Sequence, residues 1–169
     1  DSALSSFHVR VNQLEEQLVS TQRDAAVDAV TGISNRRQFD SDFERWIESP
    51  HPRFVLAMFD LDEFKQINDT YGQEVGDSVL KQAASALKRG LRAQDVICRT
   101  GGDEFLVICP DTDFRAALTC AERVRRSVNA MAITAGMLNL RVSVSIGVAE
   151  RDSVMKDAET LLKRADQGL

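Results

Sequence analysis

Four carboxylates stand where carboxylates are costly. Asp60 and Asp62 follow the continuous apolar run Phe54-Val55-Leu56-Ala57-Met58-Phe59, and Asp103 and Glu104 lie in Gly101-Gly102-Asp103-Glu104 between two apolar stretches. Alternation along an extended chain points Asp60 and Asp62 to one side. If the glycine turn folds beside the end of the apolar run, three or four acids meet and repel one another unless they are protonated or share a cation. Hard oxygen donors suit Mg²⁺ or Mn²⁺, with substrate phosphates completing the shell. Singly, each acid has a structural explanation: Asp62 as a cap of the next helical turn, Asp103 as a turn residue. Those explanations do not account for the whole set.

The elements that must position these acids follow from periodicity. Leu4, Phe7, Val11, Leu14, Leu18, Thr21 and Ala25 recur three and four apart, the narrow stripe of a coiled coil. Residues 1–27 therefore predict one self-pairing helix. Asp28 to Arg37 breaks it: Gly32 is a stop signal, and Ser34 or Asn35 can cap the next helix. Residues 36–48 predict an amphipathic helix with Phe39, Phe43, Trp46 and Ile47 inward, ended by Pro50 and Pro52. The run 54–59 predicts a strand buried on both faces. A short helical turn near 64–68, a glycine loop and a long helix near 75–89 come next. Residues 95–100 and 104–109 predict two strands joined by the Gly101-Gly102-Asp103 hairpin turn. A helix over 113–131, a strand over 141–149 and a last helix over 157–165, with Asp157 as its cap or first-turn acid, complete the chain. This order predicts an α+β, ferredoxin-like βαββαβ core: a largely antiparallel sheet with helices on one face.

Composition narrows the partners. The 169 residues carry a formal net charge of -5 and no basic tract, which argues against DNA or RNA, since backbone phosphates need clustered Lys and Arg. A mononucleotide needs only a few cations and a metal. Cys98, Cys109 and Cys120 are odd in number and form no C-x-x-C pair, so they read as buried core thiols. His8 and His51 receive no role. No apolar run reaches the roughly 18 residues of a membrane span, and no signal peptide is visible. The chain begins inside a helical pattern and stops without a C-cap signal, which predicts a fragment of a longer protein.

Gly101-Gly102-Asp103-Glu104-Phe105 is the signature pentapeptide of the GGDEF family of diguanylate cyclases, and the resemblance runs wider. Asp28-x-x-Thr31-Gly32-x-x-Asn35-Arg36-Arg37 resembles the family's entry segment. Asp60-Leu61-Asp62-x-Phe64-Lys65-x-Ile67-Asn68-Asp69-x-x-Gly72-x-x-x-Gly76-Asp77 is similar to its metal- and base-binding stretch. Ser143-x-Ser145-Ile146-Gly147-Val148-Ala149 resembles its last core strand, and Ala165-Asp166 the start of its terminal motif. The resemblance implies a sheet of the nucleotidyl cyclase and polymerase-palm type over 28–169, with 1–27 as a signalling and dimerisation helix.

It also implies an activity and a set of roles: condensation of two GTP into cyclic di-GMP with release of diphosphate, by a dimer with facing active sites. Asp60, the Leu61 carbonyl and Asp103 would hold Mg²⁺ or Mn²⁺. Asp103 would accept the proton of the attacking hydroxyl, and Glu104 would support the metal site. Asn68 and Asp77 would read guanine. The amides of Glu63, Phe64 and Lys65 would cradle phosphates, with Gly101 and Gly102 lining the GTP site. Arg92-Ala93-Gln94-Asp95 resembles the family's R-x-x-D inhibitory site, so Arg92 and Asp95 would bind cyclic di-GMP as a feedback inhibitor. An upstream sensor domain, in a cytoplasmic or membrane-anchored parent protein, would act through the helix.

Gln73 stands where the family usually has His, Ser34 where it has Pro, and Val30 where it has Leu. Gly168 stands where Ala is usual in a helix, at a cost of roughly 1 kcal/mol. The family's later phosphate-contacting Lys and Arg lie beyond Leu169. Three other readings compete: a catalytically weak domain serving as a cyclic di-GMP receptor, a cyclase or polymerase palm for another nucleotide, and a purely structural dimerisation module.

Overall fold

The structure, a computed structural model, describes residues 7–15, 17, 21, 25–48, 53–151 and 158–169. In chain order its elements are β1 (Ser34–Asn35), α1 (Arg36–Glu48), β2 (Phe54–Leu61), α2 (Phe64–Tyr71), α3 (Gln73–Gly90), β3 (Val96–Gly101), β4 (Glu104–Pro110), α4 (Phe114–Ala130), β5 (Ile133–Ala135), β6 (Leu138–Leu140), β7 (Val144–Glu150) and α5 (Ala158–Asp166).

The apolar run becomes β2 and extends through Asp60 to Leu61, buried at all positions but Asp60. Such a strand belongs at the centre of a sheet, and the order is β1-β3-β4-β2-β7. β2 pairs antiparallel with β4 on one side and β7 on the other, and β3 pairs antiparallel with β4. This is the ferredoxin-like arrangement. Val55, Ala57, Phe59 and Leu61 pack with Val79, Leu80 and Ala83 of α3 and Ala117 and Val124 of α4. The opposite parity, Phe54, Leu56 and Met58, packs with Phe39 and Phe43 of α1 and Leu161 and Ala165 of α5. The βαββαβ helices thus do share one face, but a second helical layer covers the other. A strand apolar at both parities requires that cover.

Local chemistry sets the boundaries. Asn35 caps α1, its Oδ1 accepting from the Gln38 amide at 3.0 Å. Asp113 caps α4 by accepting from the Ala116 amide at 2.8 Å. The two-residue β1, parallel to β3, and the β5–β6 hairpin were not legible from periodicity, because such short strands show no alternation. The last core strand begins at Val144 rather than Arg141. The terminal helix ends at Asp166, so Gly168 lies past it, its amide donating to the Ala165 carbonyl at 3.1 Å. Its glycine therefore carries no cost inside a helix.

Residues 7–15 are helical, as are 17 and 21, and Phe7 and Leu14 are exposed. The predicted helix does not reach residue 27: Ala25 and Ala26 lie in a turn, and Val27 is drawn into an antiparallel bridge with Ser34. Leu4 and Leu18 of the predicted stripe, the terminators Pro50 and Pro52, and the cap Asp157 lie outside the described residues. Cys98 and Cys109 are buried thiols, both pushed up to about 12 by burial, and the three cysteines form no disulfide. Among the described residues no helix is long and apolar enough to cross a membrane.

Candidate active site

The end of β2 is the meeting point. The strand register sets Asp60 opposite Glu104 on β4 and opposite Ser145 on β7. The Leu61 amide donates to the Asp103 carbonyl at 3.2 Å, which pins the glycine turn against the strand end. The turn itself needs Gly102 at φ +51, in the left-handed region. From the other side Arg99 grips it, donating to the Gly102 carbonyl from Nε at 2.9 Å and Nη2 at 2.7 Å. The same guanidinium meets the Asp28 carboxylate at 3.1 Å. Asp28 in turn accepts from the Thr31 amide at 2.8 Å and hydroxyl at 2.7 Å. The segment following the N-terminal helix is thereby tied to the turn that carries Asp103.

The predicted crowding of acids is visible in the electrostatics. Burial, then the charges of Asp103, Glu104 and Asp62, raise the Asp60 carboxyl above its ordinary range. Such a group is relieved by a cation. Glu104 accepts from the Thr100 hydroxyl. Asp62 is drawn the other way: its carboxylate accepts from the Ser145 hydroxyl at 2.6 Å and from the Ser143 hydroxyl. Its oxygens are taken by Ser143, just before β7, and Ser145, on β7, rather than by the next helical turn that it could have capped.

Asp60, Asp103 and the Leu61 carbonyl are hard oxygen donors of the kind Mg²⁺ or Mn²⁺ prefers. Among the described residues no three acidic, His or Cys side chains close into a cage. The expected meeting of three or four acids is therefore not a closed cage; the donor set that remains, two carboxylates and a backbone carbonyl, has the oxygen chemistry a small divalent ion takes together with substrate phosphates.

Beyond Asp62 the chain turns through Glu63 at φ +56, a left-handed conformation uncommon for a residue with a Cβ, and enters α2. The Phe64 and Lys65 amides fall in the first helical turn, where N–H groups have no partner within the helix. Phe64 is buried and Lys65 exposed. Asn68 lies one turn further. Its Oδ1 is buried without a hydrogen-bond partner, so it is an acceptor awaiting a donor. A Cβ at Gly76 would stand 1.8 Å from that oxygen. Only glycine lets α3 pass so close to Asn68, and Asp77, half-buried, follows it directly.

The R-x-x-D segment is a closed turn ahead of β3. The Asp95 amide donates to the Arg92 carbonyl at 3.1 Å, and the Asp95 carboxylate accepts from the Arg92 amide at 2.7 Å. The two residues are joined through the Arg92 backbone, and the Arg92 side chain is exposed.

The structure therefore brings Asp60, Leu61, Asp103 and Glu104 together, with the amides of 63–65 coming directly after the strand end. It pairs Asn68 with Gly76 next to Asp77 on the adjoining helices, and puts Arg92 and Asp95 in a separate turn. Sequence reasoning assigned no role to Arg99 or Thr100. The signal for Arg99 was a lone cation in an apolar strand just before the turn.

The sequence model of the family described as "Diguanylate cyclase, GGDEF domain" matches residues 25–169. The response regulator PleD of Caulobacter vibrioides is 43% identical over 151 residues, covering 86% of this chain and 33% of that protein. Diguanylate cyclase VdcA of Vibrio cholerae is 34% identical over 172 residues, covering 98% of this chain and 49% of that protein. The chain thus spans a third to a half of these relatives. Among solved structures, the coiled coil and GGDEF domain of DgcB from Caulobacter crescentus, in complex with c-di-GMP, superposes with a TM-score of 0.92 at 30% identity. It covers 98% of this chain and 90% of that one. Diguanylate cyclase SiaD from Pseudomonas aeruginosa, in complex with its activator SiaC, has a TM-score of 0.82 at 34% identity, covering 99% and 65%.

Proposed function

The chain belongs to the GGDEF family of diguanylate cyclase domains, and from that premise we propose that it condenses two GTP into cyclic di-GMP. In each of two steps the 3′-hydroxyl of one GTP attacks the α-phosphate of the other. A new P–O bond forms, the bond to the β-phosphate breaks, diphosphate leaves, and the hydroxyl proton passes to a base.

The observation that carries this reading is Asp60, a carboxyl raised by burial and by the acids of the neighbouring hairpin. Asp60, the Leu61 carbonyl and Asp103 would hold the divalent ion. When bound, that ion offsets phosphate charge and stabilises the departing diphosphate. Asp103 would be the proton acceptor for the attacking hydroxyl, and Glu104, held by the Thr100 hydroxyl, would support the metal site. Gly101 and Gly102 leave room for substrate at the turn. The amides of Glu63, Phe64 and Lys65 receive the phosphates.

The orphan oxygen of Asn68 accepts from a guanine N–H, and the Asp77 carboxylate accepts from its N1 and N2 donors. Adenine has an acceptor at N1 and no amino group at C2, so it would leave these groups unpaired. One domain holds one GTP, so two must face each other, and the N-terminal helix supplies the effective concentration. Arg92 and Asp95 form the product-binding turn for feedback. A GTP supply is the ground for a cytoplasmic site of action.

Incubating the protein with GTP and Mg²⁺ tests this reading. Cyclic di-GMP and diphosphate are expected, with ATP inert and Asn68→Ala eroding that preference. Absence of product across a range of protein concentrations defeats it in favour of a receptor role.

A further inference from the structure

Asp62 is the acid of the cluster that points away from the glycine turn. β4 and β7 flank β2 on opposite sides, and Asp103 sits on the β4 side. Asp62 is fastened to the β7 side at three points. Its amide donates to the Ser143 carbonyl at 3.0 Å. Its Oδ1 accepts from the Ser145 hydroxyl at 2.6 Å, and its Oδ2 from the Ser143 hydroxyl.

The next residue, Glu63, holds the left-handed conformation at φ +56. Strained backbone of this kind persists only where its surroundings over-determine it. On the far side Glu63 is held by α2, its carbonyl accepting from the Gln66 amide at 2.9 Å and the Ile67 amide at 3.3 Å. On the near side the anchor is Asp62. We infer that Asp62 is a positioning residue rather than a metal ligand: clamped by Ser143 and Ser145, it fixes the left-handed turn at Glu63 and so aims the amides of 63–65. That those amides receive phosphate rests on the cyclase reading; the clamp does not.

The test compares Asp62→Ala, Asp62→Asn and the double substitution S143A/S145A in the whole chain. Hydrogen–deuterium exchange of the peptide 60–67 reads the clamp, and initial rates of diphosphate release from GTP read its consequence. Hydrogen bonds to a charged group are the strong ones. Asp62→Ala and S143A/S145A are therefore each expected to speed exchange in that peptide and raise KM for GTP, both roughly tenfold, with a smaller change in kcat.

Asp62→Asn can accept from one serine and donate to the other, so it recovers most of both losses. A metal-ligand role gives the opposite pattern: Asp62→Asn as inactive as Asp60→Asn, with S143A/S145A unchanged. That result overturns the inference. So does exchange unaltered in both Asp62→Ala and S143A/S145A, whatever the rates. A wild-type chain silent toward GTP counts against the cyclase reading alone, and exchange still decides the clamp. If Asp62→Ala does not fold, the serine pair carries the same comparison.

Discussion

At the scale of single residues, the site is organised by charge that the fold alone does not satisfy. Asp60 carries a carboxyl raised by burial, Asp103, Glu104 and Asp62 in that order. A raised carboxyl binds its proton more tightly when folded, so it costs stability at neutral pH, and the cost disappears as pH falls below its unfolded value of about 4. Asp60→Asn is therefore expected to raise the melting temperature of the metal-free chain at pH 7, with the gain shrinking toward pH 4. Mg²⁺ should stabilise the wild type and not the variant; differential scanning fluorimetry across that range checks both. The acids at 60, 103 and 104 were legible in the sequence because carboxylates interrupt an apolar pattern there. Asp62 was legible as an acid but not in its role, since its partners Ser143 and Ser145 lie far along the chain, at a neighbouring strand. The orphan oxygen of Asn68 depends on a helix–helix approach that periodicity does not encode.

At the scale of elements, close contacts hold the site in place. α5 docks on β7 so tightly that a Cβ at Gly147 would stand 1.8 Å from the Ala165 carbonyl, a backbone atom that cannot turn aside. Gly147→Ala is expected to cost about 1–3 kcal/mol by forcing a backbone shift, read as a lower denaturant midpoint. The entry segment is held by Asp28. Burial opposes its charge, but the Thr31 hydroxyl and amide and the Arg99 guanidinium together take its carboxyl below the ordinary range. Its stabilising contribution is therefore full above about pH 4 and lost as pH falls through the lowered value. Asp28→Ala is expected to destabilise the chain at pH 7, and the difference from wild type should vanish in strong acid. Urea titrations at both pH values check the sign. The long helices and β2 were legible because their apolar spacing is strong. β1 and the β5–β6 hairpin were not, and the second helical layer was missed although β2 read as buried on both faces, because burial alone does not say which helices cover the second face.

At the scale of the molecule, a ferredoxin-like sheet brings residues from β2, α2, α3 and the β3–β4 turn to one end. Arg99 and Asp28 link that end to the segment following the N-terminal helix. A change in the helix therefore has a covalent and hydrogen-bonded route to the turn carrying Asp103. The exposed Phe7 and Leu14 leave that helix with apolar surface, which the proposed function assigns to a second copy. Catalysis as proposed depends on Asp60 and Asp103 sharing one divalent ion beside the guanine pocket. Mn²⁺ binding monitored by electron paramagnetic resonance, with 3′-deoxy-GTP present so that no turnover occurs, measures this directly. Asp60→Ala and Asp103→Ala should each weaken Mn²⁺ binding tenfold or more, and the double variant should lose little beyond either alone. Full Mn²⁺ affinity in Asp103→Ala, or losses that simply add, would contradict it.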